Sequence, residues 1–151
     1  MKDATERRRN LGLAWPVDLA QQEDGSVLVT CPDIPEALTE GRSEDDALAQ
    51  ARDCLAAALG GYVAAGRAVP RPSPSRGRPM VAPPVLAAAK VALYGAMHDQ
   101  GLGSDALAER LGIGEDEVRR LLDLDRRSPI GQVEAALHAL GRRLRVDALA
   151  A

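Results

Sequence analysis

The sequence contains no phenylalanine, and one tryptophan with two tyrosines brings aromatic residues to only 2% of its 151 positions. Its core must therefore be assembled from Leu, Val, Ile and abundant Ala, a palette that suits small helices packed at close range. Only two cysteines are present, Cys31 and Cys54, with no second pair of ligands at short spacing beside either. That excludes a Cys/His zinc site and predicts reduced, buried or half-buried thiols. No apolar run approaches the roughly 18 residues of a membrane helix. The first ten residues are charged and carry no apolar stretch of a secretory signal, so the expected location is the cytoplasm, away from membranes. The two histidines, His98 and His138, fall in separate segments without a Ser or Cys partner motif, and surface positions are expected for both. Gly101-x-Gly103 is too short for a phosphate loop. The pattern contains no catalytic, metal-binding or cofactor-binding constellation, and a non-enzymatic protein is expected.

What is present is an uneven distribution of charge. The net charge of −3 divides into +2 for residues 1–12, −8 for 13–66, +4 for 67–103 and −1 for 104–151. The acidic stretch carries only Arg42 and Arg52 against ten carboxylates. Such a unit repels nucleic acid and attracts a basic partner.

The front of the chain reads as strands. Trp15, Val17 and Leu19 alternate with polar or small neighbours, as in a half-buried strand. Glu23-Asp24-Gly25-Ser26 supplies a hairpin turn, and Val27 to Cys31 form the returning strand. Pro32-Asp33-Ile34-Pro35 breaks it before a short third strand, Ala37 to Glu40, that ends at Gly41. Ser43-Glu44-Asp45-Asp46 then opens a helix, with Ser43 as cap, Asp46 completing a capping box and three acids on the helix dipole. Leu48, Ala51, Leu55, Ala58, Leu59 and Tyr62 make its apolar face, and Gly66 ends it. Six prolines between Pro70 and Pro84 mark a semi-extended linker, inside which Arg78 to Val81 is predicted as an edge strand.

Beyond Pro84 the texture is helical. Residues 85–99 place Leu86, Ala89, Leu93 and Met97 on one face and stop at Gly101. Ser104 to Leu111 reads as a capped helix, Gly112-Ile113-Gly114 as a turn, and Glu115 to Leu122 as a second helix. Ala108 is small where two helices cross, Gly112 permits positive φ, and Leu107, Leu111, Ile113, Val118 and Leu121 lock the pair, which together are the demands of a helix-turn-helix. Pro129 opens a last helix with Ile130, Val133, Leu137 and Leu140 aligned, and Leu144 with Val146 predicts a terminal strand. The helices on either side fit the five-helix phage-repressor type of DNA-binding domain. In such a domain Gly114, Glu115, Asp116 and Glu117 open the groove-facing helix, Arg119 and Arg120 can reach bases or backbone, and Arg126 and Arg127 follow where loops grip phosphate. The acidic first turn repels phosphate while accepting from cytosine amino groups.

With these residues in view, the chain resembles the HicB family of antitoxins. The likeness rests on Trp15-Pro16-Val17, Val27-Leu28-Val29, Pro32 to Pro35, Thr39 to Gly41 and Ser43 to Ala47 in front. In the rear it rests on Val118 to Asp123 and Ala136 to Gly141. It spans roughly residues 13 to 146. The resemblance implies an α+β chain whose front is a β-β-β-α(-β) unit similar to a partial ribonuclease-H-like fold and whose rear is an all-α repressor-like domain. The expected division is a charged N-terminal tail at 1–12, a toxin-binding domain at 13–82 that includes the Pro-rich linker, and a DNA-binding domain at 83–151. It further implies a small basic HicA-like ribonuclease toxin and operator DNA as partners, and a homodimer or higher oligomer. No cofactor is implied. Trp15, Asp33, Glu36, Glu40, Glu44 and Asp45 are the candidate toxin contacts. Two rivals stand beside this reading. One is a stand-alone repressor whose front unit dimerises or senses a ligand. The other is a metal-dependent nuclease using Asp18 with the carboxylates that open the helix, for which the later strands offer no further acid.

Overall fold

The computed structural model describes residues 12–150, which fold into a small antiparallel sheet and five helices. All but Gly12 of the charged N-terminal stretch read at residues 1–12 therefore falls outside the described residues.

The first strand is one chain segment with two hydrogen-bonding partners. β1 (Trp15–Pro16) pairs antiparallel with β5 (Met80–Val81), while β2 (Asp18–Gln21) pairs with β3 (Val27–Thr30), which in turn pairs with β4 (Leu38–Gly41). Val17 links the two ladders, its N–H donating to the Pro79 carbonyl at 3.0 Å. Pro16 lacks a donor and sits where β1 ends, and Pro79 lies just before the edge strand β5, as proline requires. The Asp-Gly turn forms as the sequence suggests: Gly25 stands at φ 88°, Asp24 accepts from the Ser26 amide at 2.9 Å, and the Gln22 amide reaches Ser26 O at 2.8 Å.

α1 (Glu44–Ala64) lies on one face of this sheet. Ala47, Ala51, Leu55, Leu59 and Tyr62 are buried against Trp15, Val17, Val27, Val29, Cys31 and Ile34. Leu48 and Ala58, read as inward, are half-buried. Ser43 caps the helix, accepting from the Asp46 amide at 3.2 Å. The capping box closes one residue earlier than expected, because the Asp46 carboxylate accepts from the Arg42 amide at 2.8 Å rather than from that of Ser43. The opposite sheet face is open, with Asp18, Ala20, Thr30, Leu38 and Glu40 exposed.

The proline-rich segment is not a free spacer. The Trp15 indole N–H donates to Pro70 O at 3.0 Å, and Ser73 binds Asp33 through its amide at 2.9 Å and its hydroxyl at 2.6 Å. These ties lay the segment across the front unit and deliver β5 to the edge of β1. Proline removes donors and stiffens the backbone, so a few side-chain bonds suffice to fix its path.

The rear unit comprises α2 (Val85–Gln100), α3 (Ser104–Leu111), α4 (Glu115–Leu122) and α5 (Ile130–Ala139). Four helices, not five, follow the proline segment among the described residues. Ala89, Leu93, Ala96 and Met97 of α2 pack with Leu107, Ala108, Val118, Leu121, Val133, Ala136, Leu137 and Leu140, and Leu111 and Ile113 flank that core half-buried. Gly112 takes φ 66° between α3 and α4, so the three-residue turn has the positive-φ glycine it needs. Three expectations are corrected here. Ser104 does not cap α3, whose N-cap is Gly103 with no side-chain bond. Ile130 is 44% exposed, since only the later turns of α5 reach the core. Leu144 and Val146 form no strand, because Leu144 instead leans on the helical core and Val146 stays 63% exposed. The boundary expected at residue 82 is not a break in packing either: Val91 of α2 and Leu124 belong to the front core.

Gly41 is where β4 meets α1. A Cβ there would overlap the backbone of Asp46 and Ala47, and backbone cannot yield as a side chain can. Gly41→Ala is expected to destabilise the chain by about 1–3 kcal/mol, read as a lower urea midpoint with an unchanged slope.

Candidate functional site

The close approach at Gly41 brings the end of β4 against the first turn of α1, and Glu40 before that contact and Glu44 and Asp45 after it are all exposed. None of the three enters an ion pair among the described residues. The helix N-terminus favours the charges of Glu44 and Asp45 in its first turn.

The other three front candidates are placed differently. Trp15 is fully buried, and its one polar atom is engaged by Pro70 O. It presents no surface to a partner, which corrects the expectation that it is a contact. A ring of its size in a core without phenylalanine is a packing centre. Asp33 spends both carboxylate oxygens on Ser73. Glu36 accepts from the Tyr62 hydroxyl at 2.8 Å and pairs with Arg67 at 3.5 Å, while the Arg67 guanidinium lies 4.2 Å from the centre of the Tyr62 ring. Bonding to its own amide and to Tyr62, with Arg67 adding attraction, holds the Glu36 carboxyl below the ordinary range. The same bond raises the Tyr62 phenol. Asp33 and Glu36 therefore secure the returning proline segment as well as contributing charge.

In the rear unit, Gly114 is the N-cap of α4 and Glu115, Asp116, Arg119 and Arg120 are exposed along it. Arg119 is held by its own helix, 3.2 Å from Glu115 and 3.0 Å from Asp116. These exposed pairs are weak and exchange readily for a stronger anion. Arg126 pairs with Asp123 at 3.6 Å. Arg127 and Arg120 are exposed with no ion pair among the described residues. The structure thus gathers Arg119 and Arg120 on one helix and Arg126 and Arg127 on the loop that follows it.

Lys90 escaped the sequence reading. It is fully buried in α2, and its ammonium donates to Arg120 O at 3.0 Å, Asp123 O at 2.7 Å and Arg126 O at 2.6 Å. Burial pushes its ionisation below the ordinary lysine range, and the Asp123 carboxylate opposes that shift. The signal was available, since Lys90 falls among the inward positions Leu86, Ala89, Leu93 and Met97.

No group of three or more His, Cys, Asp or Glu among the described residues is arranged to hold a metal ion. Asp18, the start of the nuclease constellation considered above, is exposed and lies 4.0 Å from Arg78. Burial pushes the Cys31 thiol up, away from reactivity, and the partly buried Cys54 donates to Leu38 O. A shallow groove of about 990 Å³ between α2 and residues 141–147 is floored by Ala88, Ala89 and Ala92 and holds one histidine, His138, with no nucleophile. No helix among the described residues is long and apolar enough to cross a membrane.

An acidic α+β unit joined to a compact helical unit defines the class, and the comparisons narrow it. Residues 14–92 match the family model described as HicB-like antitoxin of bacterial toxin-antitoxin system. Antitoxin HicB 1 of Photorhabdus laumondii is 36% identical over 132 residues, covering 87% of this chain and 84% of that protein. Antitoxin HicB of Escherichia coli K12 is 33% identical over 133 residues, 87% of this chain and 96% of the relative. Antitoxin HicB of Pseudomonas fluorescens is 36% identical over 132 residues, 86% and 90% respectively. The chain belongs to the HicB-like antitoxin family.

The Glu36 arrangement carries a pH signature. A carboxyl depressed on folding contributes stability that is present above the unfolded glutamate range, about 4.3, and is lost as pH falls through the lower folded value. Glu36→Gln is expected to flatten the acid limb of the stability profile, with the difference from the parent chain shrinking toward low pH.

Proposed function

We propose that this chain is an antitoxin that binds and neutralises a small, basic HicA-type ribonuclease toxin and represses its own operon by binding DNA. The observation that carries the first half is the exposed carboxylates of Glu40, Glu44 and Asp45, in no ion pair among the described residues, on a unit of charge −8. A protein that cleaves RNA needs a basic surface to bind it, and an acidic unit competes for that surface by charge and by bulk. In this reading the front unit is a partial ribonuclease-H-like fold, and Asp33 and Glu36 keep its proline segment in place while adding to the field.

The second half rests on α3 and α4 as a helix-turn-helix of the repressor type. Gly114, Glu115 and Asp116 then lead α4 into the major groove, with Arg119 and Arg120 behind them and Arg126 and Arg127 on the adjoining phosphates. Arg119 leaves its own acids when it meets the DNA. A dimer doubles these contacts and reads two half-sites, which compensates for the repulsive first turn.

The deciding experiment co-expresses the chain with the short basic reading frame beside its gene and assays RNA cleavage. A stable complex that suppresses cleavage is expected. Absence of both a partner and toxicity would replace the antitoxin with a stand-alone repressor.

Within the complex, the triple variant Glu40→Lys, Glu44→Lys and Asp45→Lys is expected to slow association about tenfold or more at low salt. Unchanged association kinetics would sink the electrostatic mechanism.

Arg119→Ala with Arg120→Ala is expected to weaken operator binding about ten- to a hundredfold and to leave toxin affinity alone. Equal loss of both activities would show that the two surfaces are not separable.

A further inference from the structure

Among the described residues, four of the five helices end in the same way. Gly66, Gly101, Gly112 and Gly141 take positive φ, and the next amide turns back to the final turn: Arg67 to Tyr62 O, Leu102 to Met97 O, Ile113 to Ala108 O and Arg142 to Leu137 O. Each closure satisfies carbonyls that a helix end leaves open. α4 has no such glycine. It runs out at Asp123 in extended backbone, φ −79° and ψ 110°, although it bears the side chains assigned above to DNA.

Its carbonyls are answered from another helix. An ammonium has three donors, and in Lys90 each meets a carbonyl of the α4 terminus or its loop: Arg120, Asp123 and Arg126. A cation is also the charge that a helix C-terminus favours. The Ser128 hydroxyl adds a longer bond to Arg120 O at 3.4 Å. The loop is fastened on a second side by Leu124, which packs in the front core beside α1.

We propose that Lys90 is a positioning residue for nucleic-acid contact, a C-cap supplied in trans that holds the end of α4 and the loop 123–128 so that Arg120, Arg126 and Arg127 face one phosphate backbone together. This rests on the rear unit being DNA-binding. The residues that bear the capped carbonyls are, in two cases of three, the arginines themselves. Losing the ammonium leaves the Arg120 carbonyl with only the longer Ser128 bond and the Asp123 carbonyl with only the Arg126 amide at 3.2 Å, so the end of α4 and its loop lose the donor that ties them to α2.

The test uses the full-length chain and a duplex covering the region immediately upstream of its coding sequence, with affinity measured across a salt series. Lys90→Met keeps the length and apolar stem but has no donor, and Val133→Ala serves as a control that loosens the same core away from the loop. Lys90→Met is expected to bind the duplex at least tenfold more weakly. It should also lower the magnitude of the log K against log salt slope by about 1.8, as for two lost phosphate contacts. Amides of residues 123–128 should exchange faster while those of α5 remain protected. Val133→Ala should keep the parental slope. A folded Lys90→Met with parental affinity and slope overturns the proposal and leaves DNA binding intact. A parent chain that binds the duplex no better than an unrelated one overturns the DNA reading itself and the role of Lys90 with it. Should Lys90→Met fail to fold, Lys90→Gln, which retains two shorter-reaching donors, is read in its place. An intermediate slope supports the proposal, and a parental one overturns it.

Discussion

Helix α2 serves two cores at once, and the rest of the molecule depends on that sharing. Val91 packs in the front core with the sheet and α1, while Ala89, Leu93, Ala96 and Met97 pack in the rear core with α3, α4 and α5. Lys90 lies between those sets and carries the only buried charge among the described residues. A single helix with apolar side chains on adjoining faces cannot turn to favour one core without exposing the other. The Tyr94 hydroxyl, which donates to Arg67 O at 2.9 Å, reinforces the same junction. The acidic unit and the arginine-bearing loop are thereby held to one element rather than joined by a free tether.

The scarcity of rings shapes how that element packs. Without phenylalanine, close approach has to supply the dispersion contacts that large side chains would otherwise make. The rear core accordingly sets Ala89, Ala96, Ala108 and Ala136 among its leucines and valines. The single tryptophan goes to the one place where a sheet, a helix and the proline segment converge. Its indole N–H then adds a tie to a segment whose prolines leave it few amide donors, beside those from Ser73 to Asp33 and from Val17 to Pro79 O.

Charge follows a similar economy. Of the front acids, Asp33 and Glu36 satisfy hydroxyls, an amide and a guanidinium inside the unit, while Glu40, Glu44 and Asp45 stay outside. In the rear, Arg119 and Arg126 rest on neighbouring carboxylates that exchange easily. The front surface thus presents free carboxylates, and the rear surface presents arginines that only weak local pairs hold.

Much of this was legible in the chain because it is local. Period-two alternation marked the strand bearing Trp15, Val17 and Leu19. The Asp24-Gly25 turn, the Ser43 cap and the glycine between α3 and α4 follow from backbone stereochemistry that neighbouring residues dictate. The family likeness and the net charge of each stretch were equally readable from order and composition. Tertiary structure alone decided what depends on distant partners. It buried Trp15 and tied Asp33 and Glu36 to Ser73, Tyr62 and Arg67. It laid the proline segment along β1 and left residues 144–146 without a strand. It also gave α4 a cap from Lys90, 30 residues away in sequence from the first carbonyl it meets. The physical reason is the same in each case. Local patterns state which groups must be satisfied, but the partner that satisfies them is chosen only when separate segments come into contact.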